Sequence, residues 1–411
     1  MKRLEELDLK KISEKYGESF YLLDTDQFRD NFLELRSEFQ KIYKNSNIAY
    51  SYKTNYTPRL CEIVNELGGY AETVSDMECE IAKRIGVLPE HIAFNGPYKN
   101  KIAVEKMLLE GVNINVDSLS EMKFIESVAQ KYPKEKLEIG IRCNFDIGDG
   151  VLSRFGFDVE GDDFRKSLEI IKKTENLSLR GMHSHFASRN IETWTSRTKK
   201  MLEVVEKYYE GIPKYICQGG GIFGKMEDSL KVQFDSYIPN YREYAEEVCP
   251  LYVEAFGNLP IEQQPTLFIE PGSALVGDCM KFAAKVVSIK DVRGKSIATV
   301  LGSIYNINPT LNKKNPPLKV YHMGESETEN YKDLDFGGFT CIESDYLYRH
   351  FTGTLAEGDY VVFGNVGSYS VVLKPPFILP NFAVVEVTND GHISLVKEKE
   401  NFDDLFHTFK F

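Results

Sequence analysis

Strand-like runs alternate with segments of helical periodicity along most of this sequence, from residue 48 to residue 270. In chain order the runs are IAYSYK, YAETVS, HIAFNG, INVDS, LEIGIRC, LRGMHSH, PKYICQGGG and TLFIEPG. Repeated strand–helix units predict a parallel sheet with helices packed on its outside. Eight such strands over about 225 residues approach the size of a closed, TIM-like (β/α)8 barrel. A doubly wound open sheet is the alternative.

The pattern changes after the last of these strands. The runs KFAAKVVSIKDV, KSIATVL, DYVVFGNV and FAVVEVTND are β-rich and are separated by Gly, Pro and Asn. They predict a second, mostly antiparallel domain over residues 273–411, joined by residues 1–27, in which SFYLLD at 19–24 forms a strand. The barrel is then expected over residues 28–272. Residues 306–335 are rich in Pro, Asn and charge, which predicts surface loops.

Charge and hydropathy exclude several classes of protein. Fifty Lys and Arg against 62 Asp and Glu give a net charge of −12, which repels a nucleic-acid backbone. The amino terminus alternates charges and lacks the apolar core of a signal peptide, and no run approaches the roughly 18 apolar residues of a membrane span. We therefore expect a soluble, cytoplasmic protein that binds neither nucleic acid nor membrane.

Candidate functional residues lie at strand ends, because the βα loops of a barrel gather there. Lys53 follows the strand IAYSY, and a lysine desolvated at such a position has a lowered pKa and can form a Schiff base. A solvent-exposed lysine is the alternative. Gly219, Gly220 and Gly221 follow KYICQ, where their backbone N–H groups can approach a phosphate. A tight turn explains the same glycines.

Histidines and a carboxylate end two further strands. His185 and Ser188 lie in GMHSHFAS, and His183 is expected on the same face as His185 because residues two apart in a strand share a face. An imidazole there can stack on a planar cofactor or transfer a proton, or serve as a hydrogen-bonded core residue. Glu270 ends TLFI, and its carboxylate can hold a protonated pyridine nitrogen, cap a helix or form an ion pair.

The β-rich part contributes Cys341 and Asp345 in TCIESDYL and Tyr369 in GNVGSY. Taken singly, each is explained by a structural role, because cysteine is commonly buried and tyrosine is abundant in this chain. The seven cysteines show neither a CxxC pair nor a histidine at zinc-ligand spacing. We therefore expect buried, reduced thiols in most cases and no metal site.

In order along the chain, these motifs resemble those of the fold-type III pyridoxal-phosphate (PLP) decarboxylases, which act on diaminopimelate, ornithine, arginine or carboxynorspermidine. YSYKTN resembles the family's YAVKAN and implies that Lys53 is the Schiff-base lysine. AETVSDMECE resembles its (D/E)-x-x-S-x-x-E element and places Glu72 at the cofactor. RCNFDIGDGVLSRFGF resembles the R-x-N…S-(K/R)-F-G segment, which places Arg142 near the cofactor.

Five more motifs complete the resemblance. GMHSHFAS resembles G-x-H-x-H-x-G-S, which implies that His185 stacks on the pyridine ring and Ser188 binds the phosphate. QGGGIFG resembles the phosphate loop D-x-GGG-F, and IEPG implies that Glu270 bonds the pyridine nitrogen. CIESD and VGSY resemble the C-x-x-x-D box and the GAY element, which the family supplies across a homodimer interface. The resemblance implies that Cys341 protonates Cα and that Tyr369 binds the phosphate.

Departures from the family concern the residues expected to bind substrate. The arginine that normally follows EPG is Ser273 here. The residue after the box cysteine, which is acidic in the ornithine and diaminopimelate enzymes and receives the distal ammonium, is Ile342, while Asp345 retains the end of the box. Glu343 could take the place of that acidic residue only if the local backbone were displaced. The R-P-x-x-Y segment of diaminopimelate decarboxylases is not recognisable.

The resemblance and its departures predict a PLP-dependent decarboxylase of an amino acid or an amino-acid conjugate other than plain lysine, ornithine or diaminopimelate. One alternative is an amino-acid racemase on the same fold, which needs two opposed acid–base groups, and the C-x-x-x-D box argues against it. Another is an inactive homologue that regulates a partner decarboxylase. The presence of Lys53, His185, Glu270 and Cys341 together argues against that alternative.

Overall fold

The computed structural model describes residues 7–324 and 326–411. Contacts within the chain divide it into two units. The barrel unit comprises Asn31–Phe223 and Ser236–Ala274. The β-rich unit comprises the described residues up to Asp30 together with Gly224–Asp235 and Leu275–Phe411. The segment between the two parts of the barrel unit therefore groups with the β-rich unit.

The strands of the described residues are, in chain order, β1 (Phe20–Asp24), β2 (Ser46–Ser51), β3 (Tyr70–Thr73), β4 (Ile92–Phe94), β5 (Asn113–Val116), β6 (Leu137–Asn144), β7 (Phe157–Asp158), β8 (Leu177–His183), β9 (Tyr215–Cys217), β10 (Thr266–Ile269), β11 (Met280–Val292), β12 (Lys295–Val300), β13 (Leu318–Tyr321), β14 (Glu329–Gly337), β15 (Tyr346–Leu355), β16 (Tyr360–Phe363), β17 (Ala383–Val387) and β18 (Ile393–Lys397).

The helices of the same residues are α1 (Leu9–Tyr16), α2 (Thr25–Ile42), α3 (Pro58–Glu66), α4 (Asp76–Arg84), α5 (Lys101–Leu109), α6 (Leu119–Lys131), α7 (Asp162–Lys173), α8 (Ile191–Tyr208), α9 (Asp228–Lys231), α10 (Tyr241–Phe256), α11 (Ser273–Val276), α12 (Ile304–Ile307), α13 (Ser370–Leu373) and α14 (Phe402–Phe406). Among them, none combines the length and the apolar character that crossing a membrane requires.

The barrel unit contains a closed ring of parallel strands. In the described residues the ring runs β2, β3, β4, β5, β6, β8, β9 and β10, and β10 pairs with β2 to close it. The closing pair places Ile269 opposite Ile48. All eight predicted strands are present, and the open sheet is excluded because closure leaves no free edge in the ring.

Side-chain caps fix where the outer helices begin. The Ser75 hydroxyl accepts from the backbone N–H of Glu78 (3.2 Å), and the Glu78 carboxylate accepts from the N–H of Val74 (2.7 Å). Ser118 and Glu121 repeat this arrangement at the start of α6. These side-chain bonds satisfy N–H groups at and just before the helix start that have no partner inside the helix. They therefore determine the length of the βα loops that hold the strand-end residues.

Two glycines shape the interior of the barrel. A Cβ atom on Gly140 would lie 2.1 Å from both Asn115 Oδ1 and the Tyr215 hydroxyl, and one on Gly181 would lie 2.6 Å from the Tyr215 ring. These distances are far inside van der Waals contact, so only glycine fits at either position. The space that the glycines leave is filled by polar side chains at the centre of the ring.

The β-rich unit contains a mostly antiparallel sheet in the order β15-β14-β12-β11-β1-β17-β18, with β16 pairing β11 and β13. The β1–β17 and β12–β14 pairs are parallel. The prediction of loops over residues 306–335 was partly wrong, because the segment contains β13 and the first part of β14. Both strands obtain backbone hydrogen bonds from distant strands, and exposed side chains such as Lys332 hide the strand pattern.

Candidate active site

Lys53 lies in the turn that follows β2, at the carboxyl end of the barrel strands. Its ammonium donates to the Glu72 carboxylate and lies 3.4 Å from the Ser51 hydroxyl. The Lys53 side chain is 30% exposed, whereas that of Glu72 is 1% exposed. A carboxylate partner favours the charged ammonium. The structure thus places Lys53 at the barrel mouth as predicted and pairs it with a carboxylate, and its role as the Schiff-base lysine stays a prediction.

Glu270 is a buried carboxylate at the end of β10, only 2% exposed. Asn95 Nδ2 donates to its Oε1 at 2.8 Å, and His183 Nε2 lies 3.1 Å from each of its oxygens. Burial acts to raise the pKa of Glu270, but the adjacent His183, the nearby His185 and the Lys53 ammonium together hold it well below the usual range. Glu270 is therefore ionised at neutral pH.

His185 follows β8 and faces the same opening with a side chain that is 26% exposed. The backbone N–H of Gly220 donates to its Nδ1 at 2.9 Å. The Nδ1 atom therefore carries a lone pair, and its 3.7 Å distance to Glu270 is not a hydrogen bond. Burial lowers the pKa of His185, and the Lys53 and Arg142 charges act in the same direction, while the Glu270 carboxylate opposes them without reversing the shift. The ring is accordingly neutral, with its proton on Nε2.

The glycine loop after β9 packs tightly against its neighbours. Cβ atoms on Gly219, Gly220 and Gly221 would lie 2.4, 2.5 and 2.6 Å from the backbone oxygens of Ser184, Glu270 and Ser188, respectively. Gly219 and Gly221 also have φ angles of 71° and 88°, in the region that favours glycine. A side chain at any of the three positions would clash with this neighbouring backbone. The loop is therefore a cradle formed by backbone alone, as a phosphate site requires.

Arg142 ends β6 on the other side of the opening and is 6% exposed. Its guanidinium lies 3.5 Å from the Asp117 carboxylate and 4.8 Å from the centre of the Phe155 ring. The N–H of Gly156 donates to the same Asp117 oxygen at 3.1 Å. Arg142 is thus held by the loop that carries the Ser-Arg-Phe-Gly motif, rather than extended into solvent.

A chain of buried polar groups below the opening was not predicted. The Tyr215 hydroxyl donates to Asn115 Oδ1 (2.8 Å), and Asn115 Nδ2 donates to Asn95 Oδ1 (2.7 Å). Asn95 Nδ2 in turn donates to both Glu72 (3.1 Å) and Glu270 (2.8 Å). All donors point toward the two carboxylates, so the chain orients both as acceptors. The sequence signal that could have revealed this chain was the occurrence of polar residues in or directly after otherwise apolar strands.

Replacing Tyr215 with phenylalanine tests this chain. The change removes one hydroxyl and leaves a buried acceptor on Asn115 without its donor, so we expect the free energy of unfolding to fall by about 1–3 kcal/mol. Chemical denaturation of the two proteins measures it. Tyr209→Phe is the matched control, because it also removes one hydroxyl bond, to Leu179, at a less buried position. Equal stabilities for Tyr215→Phe and the parent would contradict the role of the chain.

The predicted residues of the β-rich unit occupy one turn and one loop. Cys341 is exposed and Ile342 is partly buried. Asp345 is buried, and both of its oxygens are used: Oδ1 accepts from Ser303 Oγ (2.9 Å) and Oδ2 from Thr340 Oγ1 (2.6 Å). Asp345 thereby holds the turn that presents Cys341. Its predicted contact with substrate stays a prediction.

Tyr369 and Ser273 complete the predicted set. Tyr369 precedes α13 with φ 60° and ψ 0°, a left-handed conformation that is uncommon for a residue with a bulky side chain. Such strain is found most often at functional positions. Ser273 is the first residue of α11 and partly buried. Ser188 is also partly buried, and its hydroxyl accepts from Thr193 Oγ1 at 3.0 Å.

Two groups of side chains in the described residues have metal-ligand chemistry. The first joins His183, Cys217 and Glu270, although sequence spacing revealed no third ligand beside the histidines. There the Glu270 carboxylate is already bonded by His183. The second joins Asp333, Asp335 and His350. Its acidic groups are occupied by Lys295, 2.6 Å from one carboxylate and 3.2 Å from the other. Neither group provides evidence for a metal.

The site therefore combines a lysine, a buried anionic carboxylate, a neutral histidine and a glycine cradle at one end of a (β/α)8 barrel. The family model of the pyridoxal-binding domain of pyridoxal-dependent decarboxylases matches residues 27–277, more than half of the chain. The chain belongs to this family. It is a PLP-dependent amino-acid decarboxylase with the fold predicted from its sequence.

Relatives and solved structures agree with this assignment. The chain is 26% identical to diaminopimelate decarboxylase of Aquifex aeolicus over 97% of its length and 93% of that enzyme. It is 25% identical to the Bacillus subtilis enzyme of the same name, over 96% of this chain and 92% of that enzyme.

Crystal structures of diaminopimelate decarboxylase share the fold. That from Methanocaldococcus jannaschii has a TM-score of 0.83 at 22% identity, covering 98% of this chain and 94% of the other. That from Helicobacter pylori, complexed with L-lysine, has a TM-score of 0.82 at 22%, covering 97% and 98%.

The residues present fit PLP. The cofactor has an aldehyde, a pyridine nitrogen and a phosphate, which require an amine, a carboxylate and a cradle of backbone, respectively. Lys53 is an amine that reaches the opening, and Glu270 is a buried carboxylate held ionised. The cradle of Gly219–Gly221 excludes any side chain. The chemistry of the donors and the side-chain-free backbone of the glycine loop therefore both match the cofactor.

Proposed function

We propose that the protein removes the α-carboxylate of an amino acid or amino-acid conjugate in a biosynthetic pathway, and that the distal end of its substrate is not a simple ammonium. The observation that carries this proposal is Ile342, an aliphatic residue directly after Cys341. An aliphatic side chain offers no charge or hydrogen bond to a cation, and desolvating a cation beside it costs free energy. Lysine, ornithine and diaminopimelate each present such a cation.

Within this proposal the barrel residues bind and orient the reacting groups. Bound PLP supplies an electron sink for the electron pair left at Cα when the bond to the carboxylate breaks and CO2 departs. Glu270 keeps a negative charge where the pyridine nitrogen binds, and the Asn95 amide holds that carboxylate in place. His185 presents a neutral ring to the cofactor. Glu72 pairs with the Lys53 ammonium and is suited to hold the amine at the opening.

We place the remaining chemistry in a homodimer. Cys341 carries an exposed thiol on a turn that Asp345 holds rigid, a position suited to reach the barrel site of a second copy. There the thiol would donate a proton to Cα after CO2 has left. Tyr369 would bind phosphate in the same partner site. The resemblance of CIESD and VGSY to elements that the family supplies across its dimer interface supports this arrangement.

Replacing Cys341 with alanine tests the proton donor. We expect cofactor binding to remain, turnover to fall at least about a hundredfold because a positioned acid is lost, and deuterium from D2O to enter Cα with mixed stereochemistry. Mass spectrometry and chiral analysis of the product amine measure both. Ser344→Ala, an exposed change in the same turn, is the control. Unaltered turnover and stereochemistry in Cys341→Ala would remove the residue from the reaction.

Diaminopimelate is the second candidate substrate. The names of the relatives favour it, since the Aquifex aeolicus and Bacillus subtilis proteins are both called diaminopimelate decarboxylase. Their identities of 26% and 25% leave room for a different substrate. The absence of a recognisable R-P-x-x-Y segment and the serine at position 273 argue against this candidate.

A panel of substrates separates the two candidates. Purified enzyme with added PLP is incubated with meso-diaminopimelate, lysine, ornithine, neutral and acidic amino acids, and conjugates that mask the distal amine. We expect the highest kcat/KM, measured by CO2 release, for a substrate without a free distal ammonium. A kcat/KM for diaminopimelate above those of all others would overturn the proposed substrate class. The Ile342→Glu variant provides the matched comparison, since it is expected to shift preference toward distal cations.

A further inference from the structure

Arg197 is a fully buried cation on α8, behind the glycine loop. The side chain is 0% exposed, and among the described residues neither its Nε nor its Nη2 has a hydrogen-bond partner. Its Nη1 lies 3.5 Å from the carbonyl oxygen of Phe186, at the limit of a hydrogen bond. No carboxylate in the described part of the chain pairs with it. A buried charge without a counterion is rare and destabilising.

The surroundings of Arg197 tie it to the loops that would hold the cofactor. Its guanidinium stacks on the Trp194 ring, 3.1 Å from the ring centre, and Trp194 Nε1 donates to the carbonyl oxygen of Gly221 at 2.8 Å. Phe186, the acceptor of the Arg197 bond, lies between His185 and Ser188. Arg197 and Trp194, both on α8, thus contact the two predicted phosphate-binding loops, the first near Ser188 and the second at Gly221.

Burial lowers the pKa of Arg197 to about 9, which still leaves the guanidinium charged at neutral pH. The position after Pro271-Gly272 contributes no charge, because it is Ser273. Arg197 supplies a buried positive charge behind the glycine loop, and Glu270 is the carboxylate whose charge acts on it to raise its pKa. A cation screened only by protein acts on an anion several ångströms away more strongly than a cation in water does.

We propose that Arg197 is the counter-charge of the cofactor's phosphate, acting from behind the glycine loop. This inference goes beyond the proposed function and concerns the cofactor alone, so an error in the substrate class leaves its test unaffected. In the absence of phosphate the lone cation destabilises the barrel unit. When phosphate binds, the opposite charges offset that cost, and binding and folding become coupled through one buried side chain.

The test compares two ligands that differ only in phosphate. PLP and pyridoxal are titrated separately into apoenzyme, and the visible absorbance of the lysine-bound forms reports binding without turnover. We expect Arg197→Met to weaken PLP about tenfold and to change pyridoxal less than twofold. The apo form of this variant is expected to melt no lower than the parent apoenzyme, because a buried lone charge has been removed. Arg197→Lys, which keeps the charge, should stay close to the parent.

Two matched variants sharpen the result. Lys199→Met removes an exposed positive charge from the same helix and should change neither affinity. Arg189→Met removes a partly exposed cation that follows Ser188. If Arg197→Met weakens the binding of PLP and of pyridoxal equally, Arg197 is a structural arginine and the proposal is overturned. The proposal is also overturned if Arg189→Met loses the preference for PLP over pyridoxal while Arg197→Met keeps it. If Arg197→Met does not fold, Arg197→Gln, also uncharged, carries the same expectation.

Discussion

Lys53→Ala is expected to abolish covalent attachment of PLP and to lower kcat at least about a thousandfold. The reason is chemical, because the Lys53 amine is the group at the opening that can bond the cofactor's aldehyde, and methyl cannot replace it. Visible absorbance and CO2 release measure the two effects. A retained absorbance band would show that another lysine carries the cofactor.

The Lys53–Glu72 ion pair requires a second variant. Removing the ammonium leaves Glu72, 1% exposed, without its positive partner, so Lys53→Ala also destabilises the barrel unit. Lys53→Arg keeps a cation beside Glu72 but removes the nucleophilic amine. We expect near-parental stability with the same loss of the absorbance band. Lys101→Ala, at the exposed start of α5, is the control for a lysine on the same face of the barrel.

Glu270→Gln is expected to lower kcat about a thousandfold while PLP remains bound. The amide keeps the size of the side chain but cannot hold a proton on the pyridine nitrogen by charge. Steady-state kinetics and absorbance together measure the effect. Glu90→Gln, an exposed carboxylate just before β4, is the control. Turnover above one-tenth of the parental value would contradict the assigned role of Glu270.

The direction of the Glu270 shift gives this prediction a pH dependence. Because its folded pKa is lowered, the stabilisation from its ionised form is present above the unfolded pKa and is lost as pH falls through the folded value. The parent is therefore expected to keep an ionised Glu270 across the neutral and mildly acidic range. The difference in kcat between parent and Glu270→Gln should stay constant across that range.

The barrel was predictable from sequence because strand and helix periods alternate locally. Its closure was supported only by a count of strands, since the pairing of β10 with β2 joins segments about 220 residues apart. The loop prediction over 306–335 was wrong at β13 and β14 because exposed polar residues mask strands whose partners are remote in sequence. Long-range pairing has no local signal.

The residues of the candidate site also fall into those that the sequence predicted and those that it did not. Lys53, His185 and Glu270 sit at strand ends, where the motif and the topology agree. Asn115 was missed because its inward direction depends on space left by glycines on other strands. Arg197 was missed because a charged residue in a helical pattern is expected to face solvent. Both depend on tertiary packing, which a single sequence does not display.

Incubation in D2O with PLP and the substrate panel tests the central claim most directly. Mass spectrometry follows CO2 and the deuterium bound at Cα. The assignment predicts CO2 release together with one deuterium in the product amine. Deuterium exchange at Cα without CO2 would contradict it and indicate a racemase. Neither reaction with any amino acid, from protein that binds no PLP, would contradict it and favour a regulatory homologue.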